Sequence, residues 1–462
     1  MGRQKTGLLG RLVARAGGDG SFLVSAGKLL GGTAAAQAIT IAALPILTRI
    51  YSPQEMAVLA AFLALHNILA VIACARLEIA IPLAPDDGDA ARLTLLALVA
   101  TSLLTVLLIL FASLSGPQLL ADFKLAEVAD YAWVLPLSVA AAGAYGATQY
   151  QATRNKRFGA IARTRVVQAI ASTGTQIGLG LLKVGPLGLL LGQVLMAGAG
   201  ALRLSQVWLK NKPLQGVDLS RSALADTLRR FRRFPFFSTP EAFANRGSAE
   251  IPVLIIAAFA IGPEAGFLLL AIKAMGAPLS LLGNAAAQVF MAESREALRD
   301  GQLGKLTSRV LILLAKLAVG PLIFAALVSP PAFSLIFGAE WHRAGVIALW
   351  MLPWSVLKTL SSPISSVLHV QMRQRAMMAL QIAGLLIRVG LTWAAAIYVP
   401  NFVVETFALA SAAFYLLCLC VFVGASRLDW RGLVRGLPLP MLIIGAWSAA
   451  GVAALVLFDH LM

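Results

Sequence analysis

A chain of 462 residues that is 59% hydrophobic and only 13% charged, with a mean hydropathy of +0.82, is excluded from the soluble globular class. Its net charge of +17 would suggest nucleic acid in a soluble protein. In a bilayer protein the placement of the basic residues matters more than their sum, and no nucleic-acid partner is expected.

Hydrophobic segments run at about 24–48, 56–83, 91–114, 131–152, 160–182 and 186–209, then at about 238–261, 264–291, 309–329, 344–370, 376–399 and 402–424. A further segment at about 437–459 brings the total to thirteen. Runs of about 20 apolar residues suit spanning helices, whereas barrel strands would show short alternating patterns. The expected fold is therefore an all-α integral membrane protein. Two six-helix bundles would occupy 1–214 and 238–424, joined by a basic amphipathic linker at 215–237 and followed by an extra segment at 425–462. The basic, glycine-containing first residues lack a hydrophobic core with a cleavage site, so no removable signal peptide is expected. Cys74, Cys418 and Cys420 lie in apolar segments without metal-ligand spacing, so neither a disulfide frame, a metal site nor a cofactor is implied.

In the linker, Asp218 or Ser220 can cap a helix start, and Leu224, Leu228 and Phe231 form a narrow apolar stripe backed by arginines. Such a helix is expected to lie flat on the membrane surface and to act as a hinge. With a cytoplasmic amino terminus, most of the 38 basic residues fall in inside connections, and the outside ones hold only Arg49, Lys124, Lys183 and Arg343. The exception to this bias is an acidic inside turn, Asp86-Asp87-Gly88-Asp89. Each half opens with a segment holding a mid-helix proline, Pro45 or Pro252, followed by a short outside turn. Six plus six segments of the same sense give two parallel repeats about an axis along the membrane normal, with a central cavity between them.

Several blocks resemble one family. Gly31-Gly32-Thr33-Ala34-Ala35-Ala36-Gln37, Pro45-Ile46-Leu47-Thr48-Arg49-Ile50-Tyr51-Ser52-Pro53 and Arg76-Leu77-Glu78-Ile79-Ala80-Ile81-Pro82-Leu83 resemble the opening of bacterial polysaccharide transporters, the O-antigen and exopolysaccharide flippases. So do Pro278-Leu279-Ser280-Leu281-Leu282-Gly283-Asn284, Ile336-Phe337-Gly338-Ala339-Glu340-Trp341 and Pro363-Ile364-Ser365-Ser366-Val367-Leu368. The resemblance implies the multidrug/oligosaccharidyl-lipid/polysaccharide exporter fold, two six-helix bundles facing each other as a V in the bacterial inner membrane. It also implies that a monomer moves an undecaprenyl-pyrophosphate-linked oligosaccharide from the cytoplasmic to the periplasmic leaflet. The family usually has twelve helices, so the segment at 437–459 departs from the pattern.

A charge at mid-bilayer costs about 3 kcal/mol on insertion scales, so intramembrane ionisable residues face a cavity or a partner. Lys28, Arg76, Arg246 and Lys273 lie on the first, second, seventh and eighth segments, which line the central cavity in the family, and are the candidate cationic site for a lipid pyrophosphate. Lys358, Arg388, Gln37, Asn245, Asn284 and Gln288 follow as secondary candidates. Glu78 and Glu250, each near an arginine, are candidates for coupling to a proton or sodium ion. Simpler readings stand beside these. Arg246 and Glu250 at i and i+4 can neutralise each other, Lys28, Arg76 and Lys316 can snorkel to headgroups, and His66 with Asn67 can be a packing pair. Arg76 and Glu78, two apart, are expected to point differently. Two other functions compete: an ion-coupled drug exporter of the same fold, and a membrane glycan polymerase or ligase. The first favours an acidic cavity, and the second needs an outer catalytic loop or clustered acidic motif that the short outside connections and the spacing of Asp86, Asp87 and Asp89 do not supply.

Overall fold

The computed structural model describes residues 20–114, 116–210 and 214–461, and these are helical almost throughout, with no strand among them. The first half contains α1 (Gly20–Ile50), α2 (Pro53–Ala70), α3 (Asp87–Leu114), α4 (Val134–Arg154), α5 (Phe158–Leu181) and α6 (Leu187–Lys210). The second contains α7 (Thr239–Phe259), α8 (Glu264–Arg299), α9 (Leu303–Phe337), α10 (Ala339–Trp350 with Leu352–Val370, bent by 48°), α11 (Gln374–Tyr398) and α12 (Val403–Ser426). Most are apolar enough to cross a membrane outright. α4, α5 and α8 are as long but less apolar, because they carry polar side chains such as Gln151, Gln168 and Lys273 on their inward faces.

Local chemistry sets the turns. Ser52-Pro53-Gln54-Glu55 is a complete capping box: Ser52 accepts from the Glu55 N–H, Glu55 accepts from the Ser52 N–H at 2.8 Å, and proline stands at the first helical position. The segment read as 56–83 is broken. α2 stops at Ala70, and the chain passes through Ala75 and Arg76 with φ of 50° and 59° before a short helix, Leu77–Ala80. Two left-handed non-glycine residues in a row cost about 1–2 kcal/mol each, so the turn has to be held from outside. Thr101 on α3 donates to the Ala73 carbonyl at 3.3 Å, and the Cys74 thiol donates to the Gly143 carbonyl on α4 at 3.3 Å. Gly143 has no Cβ, which would collide with Thr101, so α4 can press against α3 here.

The halves join mainly at one end, that of the α1–α2 and α7–α8 turns. A single apolar core there mixes Leu47 and Leu59 from the first half with Leu268 and Trp341 from the second. The Trp341 indole donates to the Thr48 carbonyl across the seam at 3.0 Å, and a Cβ on Gly266 would strike the Pro53 carbonyl. In the second half, Arg343 binds both oxygens of Glu264 (2.9 and 3.2 Å) and one of Glu405 (2.6 Å), which ties the starts of α8, α10 and α12 together at that end. Toward the other end each half has its own core: Leu77, Leu93 and Ala147 in the first, Leu311, Ile364 and Phe422 in the second. The result is a V whose shut end carries the α1–α2 and α7–α8 turns.

The linker forms a helix over Arg221–Arg230, capped by Ser220, whose hydroxyl accepts from the Ala223 N–H. The Ser220 N–H and hydroxyl donate to Asp218, which holds that carboxyl below the usual carboxylate range. The helix docks on the first half through Thr227 and, at its end, through Phe231 of the apolar stripe, which packs on the core of Leu77 and Leu93, while Leu228 stays 40% exposed. Asp89, only 1% exposed, accepts from Arg92 at 2.7 Å, from the Thr227 hydroxyl at 3.3 Å and from the Arg230 guanidinium. The acidic turn that broke the charge bias is thus the linker's receptor. α13 (Pro438–Leu461) is long and apolar enough to span, and packs on α9, where Trp447 meets Phe324 edge-on at 5.4 Å over the bare Gly320.

Candidate functional site

Three cavities open along the seam. The largest, about 880 Å³, lies between the Arg76 turn, α7, α10, α11 and α12. A second, about 560 Å³, lies between α1, α4, α5, α6 and α8. A third, about 300 Å³, lies between α8 and α10. It shares Ile272 and Gly276 with the second and Lys358 and Ser362 with the first, so the three adjoin.

Arg76 and Arg246 face the largest cavity together, each beside a carboxylate. Arg76 Nη1 is 3.7 Å from Glu78 Oε1, although the two residues stand two apart, because the left-handed turn folds Arg76 back over the helix it starts. Arg246 Nε is 3.5 Å from Glu250 Oε1, the geometry of an i, i+4 pair. The same Glu250 oxygen accepts from Asn67 on α2 at 3.0 Å, a bond that crosses between the halves. His66 turns the other way, bonds Ser138 at 2.8 Å and stacks on Phe62, so His66 and Asn67 serve different partners. Asn245 also walls this cavity.

Lys358 and Arg388, ranked low from sequence, both wall the same cavity. Arg388 is 4% exposed, its guanidinium lying 4.3 Å over the Phe414 ring, and its Nε–H donates to the Gly384 carbonyl at 3.4 Å. Lys273 is not in that space. It walls the second cavity with Gln37 and with three residues that sequence reasoning passed over, Tyr145, Arg165 and Gln168. Gln168 is buried with its amide nitrogen unpartnered, as is the Arg165 Nε. Arg165 is only a few residues into its segment, where an arginine reads as a headgroup anchor; the signal that could have found it was Gln168, one turn on. Asn284 walls the third cavity, whereas Gln288 is exposed and walls none of the three. Lys28 is on α1, but its side chain lies outside the described residues.

The charges sort into two groups. Glu78, Asp89, Glu250, Glu264 and Glu405 each have an arginine within 4 Å. Among the described residues, Arg165, Lys273, Lys358 and Arg388 have no carboxylate within that distance. No group of three or more histidine, cysteine or acidic side chains placed to hold a metal ion occurs among the described residues. Cys74 and Cys418 are buried and free.

A family model described as polysaccharide biosynthesis protein matches residues 46–346. A comparison with curated protein sequences finds no match. Among solved structures, the lipid II flippase MurJ in an inward closed conformation superposes with a TM-score of 0.66 at 12% identity, over 91% of this chain and 98% of the other. An inward-facing multidrug resistance MATE family transporter of the MOP superfamily gives 0.56 at 16% identity, over 86% and 95%. A MOP superfamily transporter from Pyrococcus furiosus, described by the reverse polarity of its binding pocket, gives 0.52 at 15% identity, over 87% and 96%. At these identities the likeness shows the fold, which is that of the V-shaped exporters.

Proposed function

The chain belongs to the polysaccharide biosynthesis protein family, and from that premise we propose that it is a flippase carrying an undecaprenyl-pyrophosphate-linked oligosaccharide, an O-antigen or exopolysaccharide repeat unit, from the cytoplasmic to the periplasmic leaflet of the inner membrane. The observation that carries this reading is the uncompensated positive charge at the seam, above all Arg165 and Lys273 in one cavity without a carboxylate. Buried cations without partners are expensive, and a diphosphate supplies the missing charge through strong, charge-assisted hydrogen bonds. With the amino terminus cytoplasmic, as the basic connections favour, the shut end is periplasmic and the cavities face the cytoplasm, where such a lipid is assembled. Rocking of the halves would then open the periplasmic end while the lipid tail stays in the bilayer.

Arg76 and Arg246 form a second rank, because Glu78 and Glu250 already share their charge. Protonating Glu250 would release both Arg246 and the inter-half bond from Asn67, which makes it the better placed of the two carboxylates for proton or sodium coupling. Lys28 belongs to the cationic set by its position on α1. A drug exporter built for cations would need an acidic seam, and among the described residues walling the three cavities Glu241 is the one carboxylate against Arg76, Arg165, Arg246, Lys273, Lys358 and Arg388. The test is reconstitution into liposomes with a fluorescent prenyl-diphosphate oligosaccharide, reading leaflet exchange by quencher accessibility. Exchange that depends on Arg165 and Lys273, each replaced by glutamine, supports the reading; exchange at the rate of empty liposomes overturns it. Equal exchange with and without an imposed ion gradient in Glu78→Gln/Glu250→Gln and native protein alike removes the coupling step.

A further inference from the structure

Resting on that reading, we propose that the oligosaccharide itself is acidic: the α10–α12 wall of the largest cavity is a subsite for an anionic sugar, separate from the place of the diphosphate. Two observations locate it. The cations without carboxylates fall in two groups, Arg165 and Lys273 in the second cavity and Lys358 and Arg388 in the first, with Lys358 where the first and third cavities adjoin. One diphosphate held in the second cavity leaves the other group with Glu241 on α7 as the one carboxylate among the described residues walling its cavity, and that carboxylate is not within 4 Å of either cation. The second observation is the polar lining around that group. The Ser361 hydroxyl and the Gln381 carbonyl oxygen have no partner, and both residues wall the same cavity as Arg388.

The chemistry favours a carboxylate. Arg388 lies over the Phe414 ring, 4.3 Å from its centroid, and gives its Nε–H to the Gly384 carbonyl, so one face and one donor are taken and the terminal nitrogens, beside Tyr415, are left to meet a planar anion. Lys358, exposed within the cavity on α10, adds a point charge from a different helix. Ser361 and Gln381 supply the donor and acceptor that sugar hydroxyls require. A neutral glycan would have to occupy this wall and leave both charges unanswered in a site from which it had displaced water.

The experiment uses the full chain in lipid nanodiscs and three farnesyl-diphosphate-linked disaccharides, ending in glucose, glucuronate or glucose 6-phosphate, with affinity read by thermophoresis at low and high salt. The glucuronate compound is expected to bind about tenfold tighter than the glucose compound, with the ratio shrinking as salt rises. Lys358→Gln and, separately, Arg388→Gln are expected to bring that ratio toward one. Lys358 points into the cavity, so its replacement tests the subsite even if the buried Arg388 change disturbs folding. A ratio near one in the native protein, or a ratio that survives both substitutions, overturns the proposal. Preference for the 6-phosphate over the glucuronate keeps the anionic subsite and overturns the carboxylate. Failure of all three compounds to bind is a different result, which overturns the flippase reading and takes the subsite with it.

Discussion

The shut end of the V hangs on Trp341, and its removal can be worked through. Trp341 is fully buried, stands edge-on to Phe267 at 5.8 Å and donates its indole N–H to the Thr48 carbonyl at 3.0 Å. That carbonyl sits in the last turn of α1, where the Ser52 N–H that would have satisfied it is taken by Glu55 at 2.8 Å. The indole therefore caps an orphan carbonyl of the opposite half, and only while the end is shut. Trp341→Phe keeps most of the ring packing but loses a bond worth about 1 kcal/mol and strands a buried acceptor at about 1–3 kcal/mol. A net shift of about 2 kcal/mol toward the open state is roughly thirtyfold in the ratio of open to shut. Spin labels at Gln54→Cys and Ile261→Cys, exposed positions on opposite halves of this end, in a Cys420→Ser background, report the distance by pulsed electron resonance. A long-distance population should grow in Trp341→Phe and not in Trp350→Phe, which alters a partly exposed tryptophan. An unchanged distribution in Trp341→Phe would refute the reasoning.

Three further outcomes follow. Gly266→Ala pushes a Cβ into the Pro53 carbonyl and should shift the same spin-label distances toward the open state, while Gly276→Ala, whose Cβ meets nothing, should not. Asp89→Asn removes the carboxylate shared by Arg92 and Arg230; breaking a buried pair costs about 3–5 kcal/mol, less here because Arg230 is largely exposed, and the linker should undock. Trypsin should then cut at Arg229–Arg233 several times faster than in the native protein, and an unchanged cutting rate would mean the clasp does not hold the linker. Gly320→Leu fills the hollow under Trp447 and should lift α13 off α9, seen as stronger quenching of Trp447 by brominated lipids, taken as the difference between protein with and without Trp447→Phe; unchanged quenching would mean the hollow does not seat the helix.

The helices were legible because a bilayer span is a long, nearly unbroken apolar run, and each such run falls on one of the thirteen helices, with the ends of the second, eighth and ninth read least well. Where the reading failed, local chemistry gave no sign. No glycine or proline marks the break after Ala70; the left-handed turn at Ala75 and Arg76 is imposed by Thr101 and Gly143 from helices far along the chain. α8 runs to Arg299, beyond the apolar limit near 291, because Glu293, Arg295 and Glu296 propagate a helix as well outside the membrane as leucine does within it. In the linker, the spacing of Leu224, Leu228 and Phe231 marked an apolar stripe, of which Phe231 packs on the first-half core, but it gave no sign of the threonine and arginine that meet a buried aspartate. Periodicity registers apolar faces and is blind to a polar clasp.

The sign of the seam charge decides more than its amount. A chain that needed cations only to pack its helices would meet each one with a carboxylate, as it does five times at the helix ends and along the seam with Glu78, Asp89, Glu250, Glu264 and Glu405. Arg165 and Lys273 are half-buried and Lys358 is exposed to its cavity, and none of the three has a carboxylate within 4 Å among the described residues, so ion pairing gives no reason for them to stand where they do. Arg388 has a partial structural answer in the Phe414 ring, worth about 2 kcal/mol or more when desolvated, and in its bond to the Gly384 carbonyl, against a desolvation cost of several. What remains is a row of positive charge spread over α5, α8, α10 and α11, wide enough to meet a cargo at more than one point and placed where moving the halves apart or together changes how closely those charges approach one another. Bringing like charges together without an anion between them costs free energy that grows as water leaves, so an empty seam resists closing around itself and an occupied one does not. That difference is the condition a carrier must meet if it is to turn over only when loaded.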